Sequence, residues 1–272
     1  MAFARLGGIR IEYFDHGSGP EVVVFVHGFQ ASAPIWHAVQ QRLPAERYRS
    51  IAINNRGAGG SDAPPEESDF TIQCFAADVL ALLDTLGLDR VVLVGHSMGG
   101  ATVAQFAVDH PQRVKALVLL DPASPNGRDL SAGEIERLLD ERDAARDALL
   151  AKGGAGDGLG AHRIELDATQ RQQLLADIVA APRRRLRGSM RSLLQLRLGG
   201  RVRKLPMPVL LAAGDADQVI ALENMLATWA MYPPGTGLHV WHGIGHSPNV
   251  ECPQAFVDLL CQFVEKTVPG IR

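Results

Sequence analysis

Several short runs of this sequence are apolar at every position, among them Val22 to Val26, Val91 to Val94, Ala116 to Leu120 and Pro208 to Ala213. A strand with one wet face alternates, so a strand that never turns polar is covered on both faces. Arg49 to Ile53 and Leu238 to Trp241 read as further strands, while the alternation of Ile9 to Phe14 marks a half-buried strand at an edge. Between these runs, helical periodicity covers Ile35 to Leu43, Ile72 to Leu86, Gly99 to His110, Leu222 to Met231 and Gln254 to Lys266. Strand and helix alternate, which requires crossover connections. The expected fold is α/β, a mostly parallel, doubly wound sheet that turns antiparallel at its edge.

One interval breaks the alternation. From Pro125 to Lys204 there is no Phe, Tyr or Trp and no strand-like run, but Leu- and Arg-rich helical patterns cover Gly133 to Lys152, Thr169 to Ala180 and Arg183 to Leu198. The glycine-rich stretch from Gly153 to Gly160 divides the first from the second and reads as a joint. An all-helical excursion between two sheet strands is expected to cap the carboxyl ends of the strands, where open α/β sheets place their ligands. The expected organisation is a core of residues 1–124 and 205–272 with a helical cap subdomain at 125–204.

A chain of 272 residues with 46% hydrophobic content holds one large domain with an insertion. Its net charge of −3 gives no electrostatic reason to bind nucleic acid or an anionic membrane. A small molecule is the expected partner, for a chain acting as a monomer or homodimer. Cys74, Cys252 and Cys261 are odd in number and lack CxxC spacing, so they are read as buried thiols of a reducing compartment. The N-terminus has no long apolar stretch, and no apolar run approaches the roughly 20 residues that cross a bilayer. The expected location is cytoplasmic.

Gly95-His96-Ser97-Met98-Gly99 fits G-x-S-x-G, and its setting at a strand-to-helix turn makes Ser97 the expected nucleophile. A serine hydroxyl needs a base, and His96 is too close along the chain to serve. His239 and His242 read as packing or surface residues, and His16 and His162 lie in polar loops. His246, just past the last strand in a loop anchored by Glu251 and Pro253, is the expected base. The base needs an acid to orient it, and Ala213 to Ile220 offers Asp215 in the tight turn and Asp217 beyond it. Asp217 is the expected acid, with Asp121 after the strand at Ala116 to Leu120 as its competitor. Oxyanion donors are expected from the backbone N–H groups of Met98, at a helix N-terminus, and Phe29, in Val26-His27-Gly28-Phe29. Gly28, Phe29, Trp36 and Met98 are expected to floor the substrate pocket, beneath an aliphatic wall supplied by the cap. The fourteen arginines between Pro125 and Lys204 read as a solvated outer face.

Together with Asn54-Asn55-Arg56-Gly57-Ala58-Gly59-Gly60-Ser61-Asp62, these motifs resemble the α/β-hydrolase fold in its capped esterase and lactonase branch, over essentially the whole chain. The resemblance implies an eight-stranded sheet and a serine hydrolase of carboxylic esters or lactones, acyl-homoserine lactones included; with base, acid and oxyanion donors accounted for and no histidine and carboxylate cluster at zinc spacing, no cofactor or metal is expected. Carbon–carbon bond hydrolysis and cofactor-free perhydrolase or haloperoxidase activity use the same triad and are the alternatives, with a non-catalytic receptor or scaffold further away. Asn54 stands where such relatives commonly have Asp, which implies a local change in hydrogen bonding and no change in reaction.

Overall fold

The computed structural model describes residues 1–152, 166 and 168–268. Its eight strands are β1 (Ala2–Leu6), β2 (Ile9–His16), β3 (Glu21–Val26), β4 (Tyr48–Ile53), β5 (Val91–His96), β6 (Val114–Leu120), β7 (Val209–Gly214) and β8 (Gly237–Trp241). They form one sheet in the order β1-β2-β4-β3-β5-β6-β7-β8. The pairs β1–β2 and β2–β4 are antiparallel, and every other pair is parallel.

The uninterrupted apolar runs are explained by the two faces of this sheet. Val24, Val26, Leu93, Leu117 and Leu119 point into one core layer, while Val23, Phe25, Val92, Val94, Val118 and Leu120 point into the other. The first layer is closed by α2 (Ile72–Thr85) and α3 (Met98–Asp109), through Phe75, Val79, Leu82, Val103 and Phe106. The second is closed by α9 (Pro253–Thr267), through Phe256, Leu260 and Val264. Each of these wholly buried side chains contributes roughly 1.5–3 kcal/mol of transfer free energy.

Three elements depart from expectation. β1 was not read as a strand, although its inward Ala4 and Leu6 alternate with exposed neighbours as an edge strand should. The segment from Ile35 to Leu43 is not one helix: a 3-10 turn at Ala33–Trp36 leads into a single turn, α1 (His37–Gln40), and the Gln40 amide donates to the carbonyls of Phe14 and Ser50. The three cysteines are half-buried free thiols rather than core residues.

Between β6 and β7 the chain leaves the sheet for α4 (Ala132–Ala151), α5 (Ala168–Ala180) and α6 (Arg183–Gln195). The expected joint at Gly153–Gly160, and His162, lie outside the described residues. Many arginines of this insertion prove to be fasteners and not a simple solvated face. Arg187 on α6 pairs with Asp140 and Asp143 at 2.8 and 2.9 Å and with Glu136 at 3.0 Å, all on α4, and Arg191 bridges Glu136 to Glu67 of the core. Arg146 donates to the carbonyls of Ile178, Val179 and Ala181 around the end of α5. The chain is completed by α7 (Leu222–Trp229) and α8 (Pro248–Glu251).

Candidate active site

β5 delivers Ser97 to the carboxyl edge of the sheet in a strained conformation, with φ 53° and ψ −117°. Left-handed backbone at a non-glycine residue costs on the order of 1–3 kcal/mol and persists only where its surroundings enforce it. Here the Ser97 N–H donates to the Leu120 carbonyl (2.9 Å), and the Ser97 carbonyl accepts from Gly100 (2.9 Å) and Ala123 (3.0 Å). Flanking side chains are excluded: a Cβ on Gly95 would run into the Gly99 carbonyl and Val103, and one on Gly99 would meet the carbonyls of Val26 and His27. Among the described residues, Gln30, Ser97 and Asp121 are the non-glycine positions with positive φ, and all three lie at the carboxyl ends of neighbouring strands.

Gly28 faces this elbow directly, because a Cβ there would stand 3.1 Å from the Ser97 Cβ and 3.0 Å from His96 Nδ1. The loop is held by His27, whose Nδ1–H donates to the Gly28 carbonyl (2.8 Å) and whose Nε2 accepts the Asn55 N–H (3.1 Å). Burial, and then the nearby Arg185 guanidinium, lower the His27 pKa to about 3 against the Gly28 hydrogen bond, so the ring stays neutral. The N–H groups of Phe29 and Met98 have no protein acceptor among the described residues. Trp36 differs from expectation. It is wholly buried among Phe25, His96 and Phe256 in the core and does not line the cavity beside Phe29.

Opposite the loop, the turns after β7 and β8 carry Asp217 and His246. His246 Nδ1–H donates to Asp217 Oδ2 at 2.7 Å, in a pair whose side chains are only 8% and 1% exposed. The other Asp217 oxygen accepts from the N–H groups of Val219 (2.6 Å) and Ile220 (3.0 Å). Burial pushes the Asp217 carboxyl upward, but the His246 hydrogen bond and charge and the two backbone donors outweigh it, leaving its pKa below the ordinary value. The His246 loop is clamped by Glu251, which accepts from Gly245 (2.9 Å) and Ser247 (3.1 Å). His96 packs beneath it: its Nε2–H donates to the His246 carbonyl (2.7 Å), and the two rings lie 4.9 Å apart.

Asp121 is not remote. Acceptor and ring atoms of Asp121, Asp217 and His246 lie within 4.8 Å of one another, a grouping that residue spacing alone did not reveal. Asp121 is fully buried and accepts from the Gly214 N–H (3.1 Å). Burial and then the neighbouring Asp217 charge push its pKa well above the carboxylate range. It therefore stands beside Asp217 as the carboxyl that holds its proton more tightly, while His246 pairs with Asp217.

Asn54 shows why an amide fits where relatives commonly have Asp. Its oxygen accepts from Ala33 (2.6 Å), and its Nδ2 donates to Glu12 Oε2 (2.6 Å), an atom that also accepts from Gly60 (2.7 Å). A carboxylate at Asn54 would have no hydrogen to offer Glu12.

Under the helical insertion lies a cavity of about 190 Å³, lined by Phe29, Leu139, Ile178, Leu186 and Met190, with the Arg142 guanidinium 5.7 Å above the Phe29 ring. Its wall mixes these apolar side chains with the charged Arg142, Asp143, Arg146 and Arg187. Among the described residues, no helix is long and apolar enough to cross a membrane.

Comparison with known proteins agrees with this architecture. The sequence is 31% identical over 274 residues to a Bacillus subtilis (strain 168) protein provisionally named 2-succinyl-6-hydroxy-2,4-cyclohexadiene-1-carboxylate synthase, covering 94% of this chain and 95% of that one. The structure is similar to an esterase from Exiguobacterium antarcticum, with a TM-score of 0.84, 25% identity, and 97% and 98% of the two chains covered. It shares its fold with a bromoperoxidase from Bacillus anthracis, with a TM-score of 0.83, 24% identity, and 97% and 99% covered. The sequence pattern of the alpha/beta hydrolase fold matches residues 21–251, from the start of β3 to the Glu251 clamp, and the chain belongs to that family.

Proposed function

We propose that the protein is a serine hydrolase that cleaves carboxylic esters or lactones through an acyl-enzyme, with Ser97 as nucleophile, His246 as base and Asp217 as orienting acid. The observation that carries this reading is the buried 2.7 Å Asp217–His246 pair across from a strained Ser97. Because Nδ1 holds the proton shared with Asp217, His246 keeps Nε2 free to accept the Ser97 proton. The serine oxygen then bonds to the acyl carbon, and the carbonyl electron pair moves to its oxygen. The Met98 and Phe29 N–H groups stabilise that oxyanion, and each such donor contributes on the order of 10²–10³ in rate. Collapse expels the alkoxide, which takes the proton from His246. Water then repeats the sequence on the acyl-enzyme and restores Ser97.

Residues 125–204 form a cap over a core of 1–124 and 205–272 in this reading, and the Phe29 cavity receives the acyl chain. No step calls on a metal or organic cofactor. The test is a panel of chromogenic esters of graded chain length beside acyl-homoserine lactones, assayed with wild type and Ser97→Ala. Ser97→Ala is expected to lose on the order of 10⁴-fold or more in rate. Turnover within tenfold of wild type would remove Ser97 from the mechanism.

A further inference from the structure

Arg185, on α6, is the one arginine among the described residues of the insertion drawn fully into the interior, at 2% exposure. Its only hydrogen bond among the described residues runs from Nη2 to the Ala31 carbonyl, at 3.3 Å, and its Nε has no partner. No described carboxylate forms an ion pair with it. Asp177 is the acid near enough to feel its charge, yet the Asp177 oxygens are occupied by the Ser32 hydroxyl (2.7 Å to each) and the Gln173 amide. Desolvation pulls the Arg185 pKa down to about 10, so it remains a cation. A buried charge whose nearest acid is engaged elsewhere is costly, and natural structures pair such charges directly.

A second orphan lies beside it. The Asn55 side chain is fully buried, with neither its Nδ2 nor its Oδ1 partnered. Asn55 stands two residues before Gly57, whose backbone packs on the Arg185 side chain so closely that a Cβ there would stand 3.0 Å from Arg185 Cδ. The Asn55 N–H is also bonded to His27, which feels the Arg185 charge. Both orphans therefore flank the loop that carries Gly28 and Phe29 past Ser97, and Leu186, the next residue of α6, lines the cavity beside Phe29.

We propose that the Arg185 guanidinium and the Asn55 amide form a subsite for a carboxylate, so that the preferred ester or lactone carries a negative charge on its acyl part. The proposal rests on the hydrolase reading above and narrows its substrate class. A guanidinium fork and an amide N–H supply the donors that a planar carboxylate accepts.

The experiment compares 4-nitrophenyl hydrogen glutarate with 4-nitrophenyl pentanoate, which match in chain length and differ in the terminal charge, after subtraction of self-hydrolysis. Wild type is expected to favour the glutarate ester in kcat/KM. Arg185→Met should lower the glutarate-to-pentanoate ratio on the order of 100-fold, the effect of removing one partner of a buried charge pair. Arg185→Lys should recover part of the ratio, because it restores the charge without the fork. A wild-type preference for pentanoate, or a ratio that Arg185→Met changes less than twofold, would overturn the proposal. If Arg185→Met does not fold, inhibition of wild type by glutarate decides: competition with the pentanoate ester is expected, and no inhibition at concentrations far above KM would overturn it. If neither ester is cleaved, the hydrolase reading itself fails. Calorimetric titration of glutarate into wild type and Asn55→Ala still tests the subsite then, with binding weakened by the substitution expected and no binding to wild type overturning it.

Discussion

Two histidine–aspartate pairs link the same two loops of the molecule. Asp215 accepts from His242 Nδ1–H at 2.7 Å, and Asp217 accepts from His246 Nδ1–H at the same distance. They differ in surroundings. The His242 and Asp215 side chains are 99% and 28% exposed, against 8% and 1% for His246 and Asp217. The outer Asp215 tethers a turn, accepting also from Gly243 at 2.7 Å, whereas the inner pair sits on a clamped loop with Asp121 beside it. Geometry of the pair alone therefore does not make a catalytic dyad. Water competes for the outer pair and screens it, whereas in the buried inner pair a charge on the imidazole would feel its partner strongly.

The largest test of this contrast is removal of each histidine. His246→Ala is expected to lower kcat on the order of 10⁴-fold, while His242→Ala stays within about twofold in the same ester assay. Comparable losses in both would erase the distinction. The acids follow. Asp217→Asn keeps the shape but favours the wrong tautomer of His246 and should cost roughly 10³- to 10⁴-fold. Asp215→Asn should be close to wild type. Asp121→Asn should do far less than Asp217→Asn, because His246 donates to Asp217 and not to Asp121. A reversed ranking of Asp121 and Asp217 would move the acid to β6.

A subtler prediction concerns pH. The folded pKa of Asp121 lies above its unfolded value, so folding takes up a proton there, and wild-type stability falls as pH rises from about 4 through the raised folded value. Asp121→Asn removes that titration. Its stability relative to wild type should therefore increase with pH across that window and level off above it, as read by urea unfolding at stepped pH. A difference that does not change with pH would mean that Asp121 titrates alike in both states. The smallest effect is expected at the surface, where His242→Gln should shift Tm by no more than about 1 °C.

Much of the fold was legible because covered strands leave an uninterrupted apolar signature: Val22–Val26 and Val91–Val94 both prove to be central strands. β1 was missed because Ala2-Phe3-Ala4-Arg5-Leu6 is a short alternation with small residues. The run from Ile35 to Leu43 misled because Gln40 and the 3-10 turn at Pro34 are held by tertiary contacts that helical periodicity does not register. Within the site, the elbow glycines and the positions of Asp217 and His246 could be read from motif and chain order. The core placement of Trp36, the coupling of Asp121 to Asp217 and the burial of Arg185 could not. Each depends on which elements meet across the sheet or beneath the insertion. Arg185 looks like any other residue of Arg183-Arg184-Arg185-Leu186-Arg187 until α6 packs on Gly57.

Covalent labelling tests the central claim most directly. Wild type, Ser97→Ala, His246→Ala and His242→Ala would each be treated with a fluorophosphonate, with adducts located by peptide mass spectrometry and labelling rates recorded. A single adduct on Ser97 is predicted, absent in Ser97→Ala, slowed by orders of magnitude in His246→Ala and formed at nearly the wild-type rate in His242→Ala. Labelling at another residue, or equal rates in the two histidine variants, would contradict the assignment of Ser97 and His246 as an activated pair.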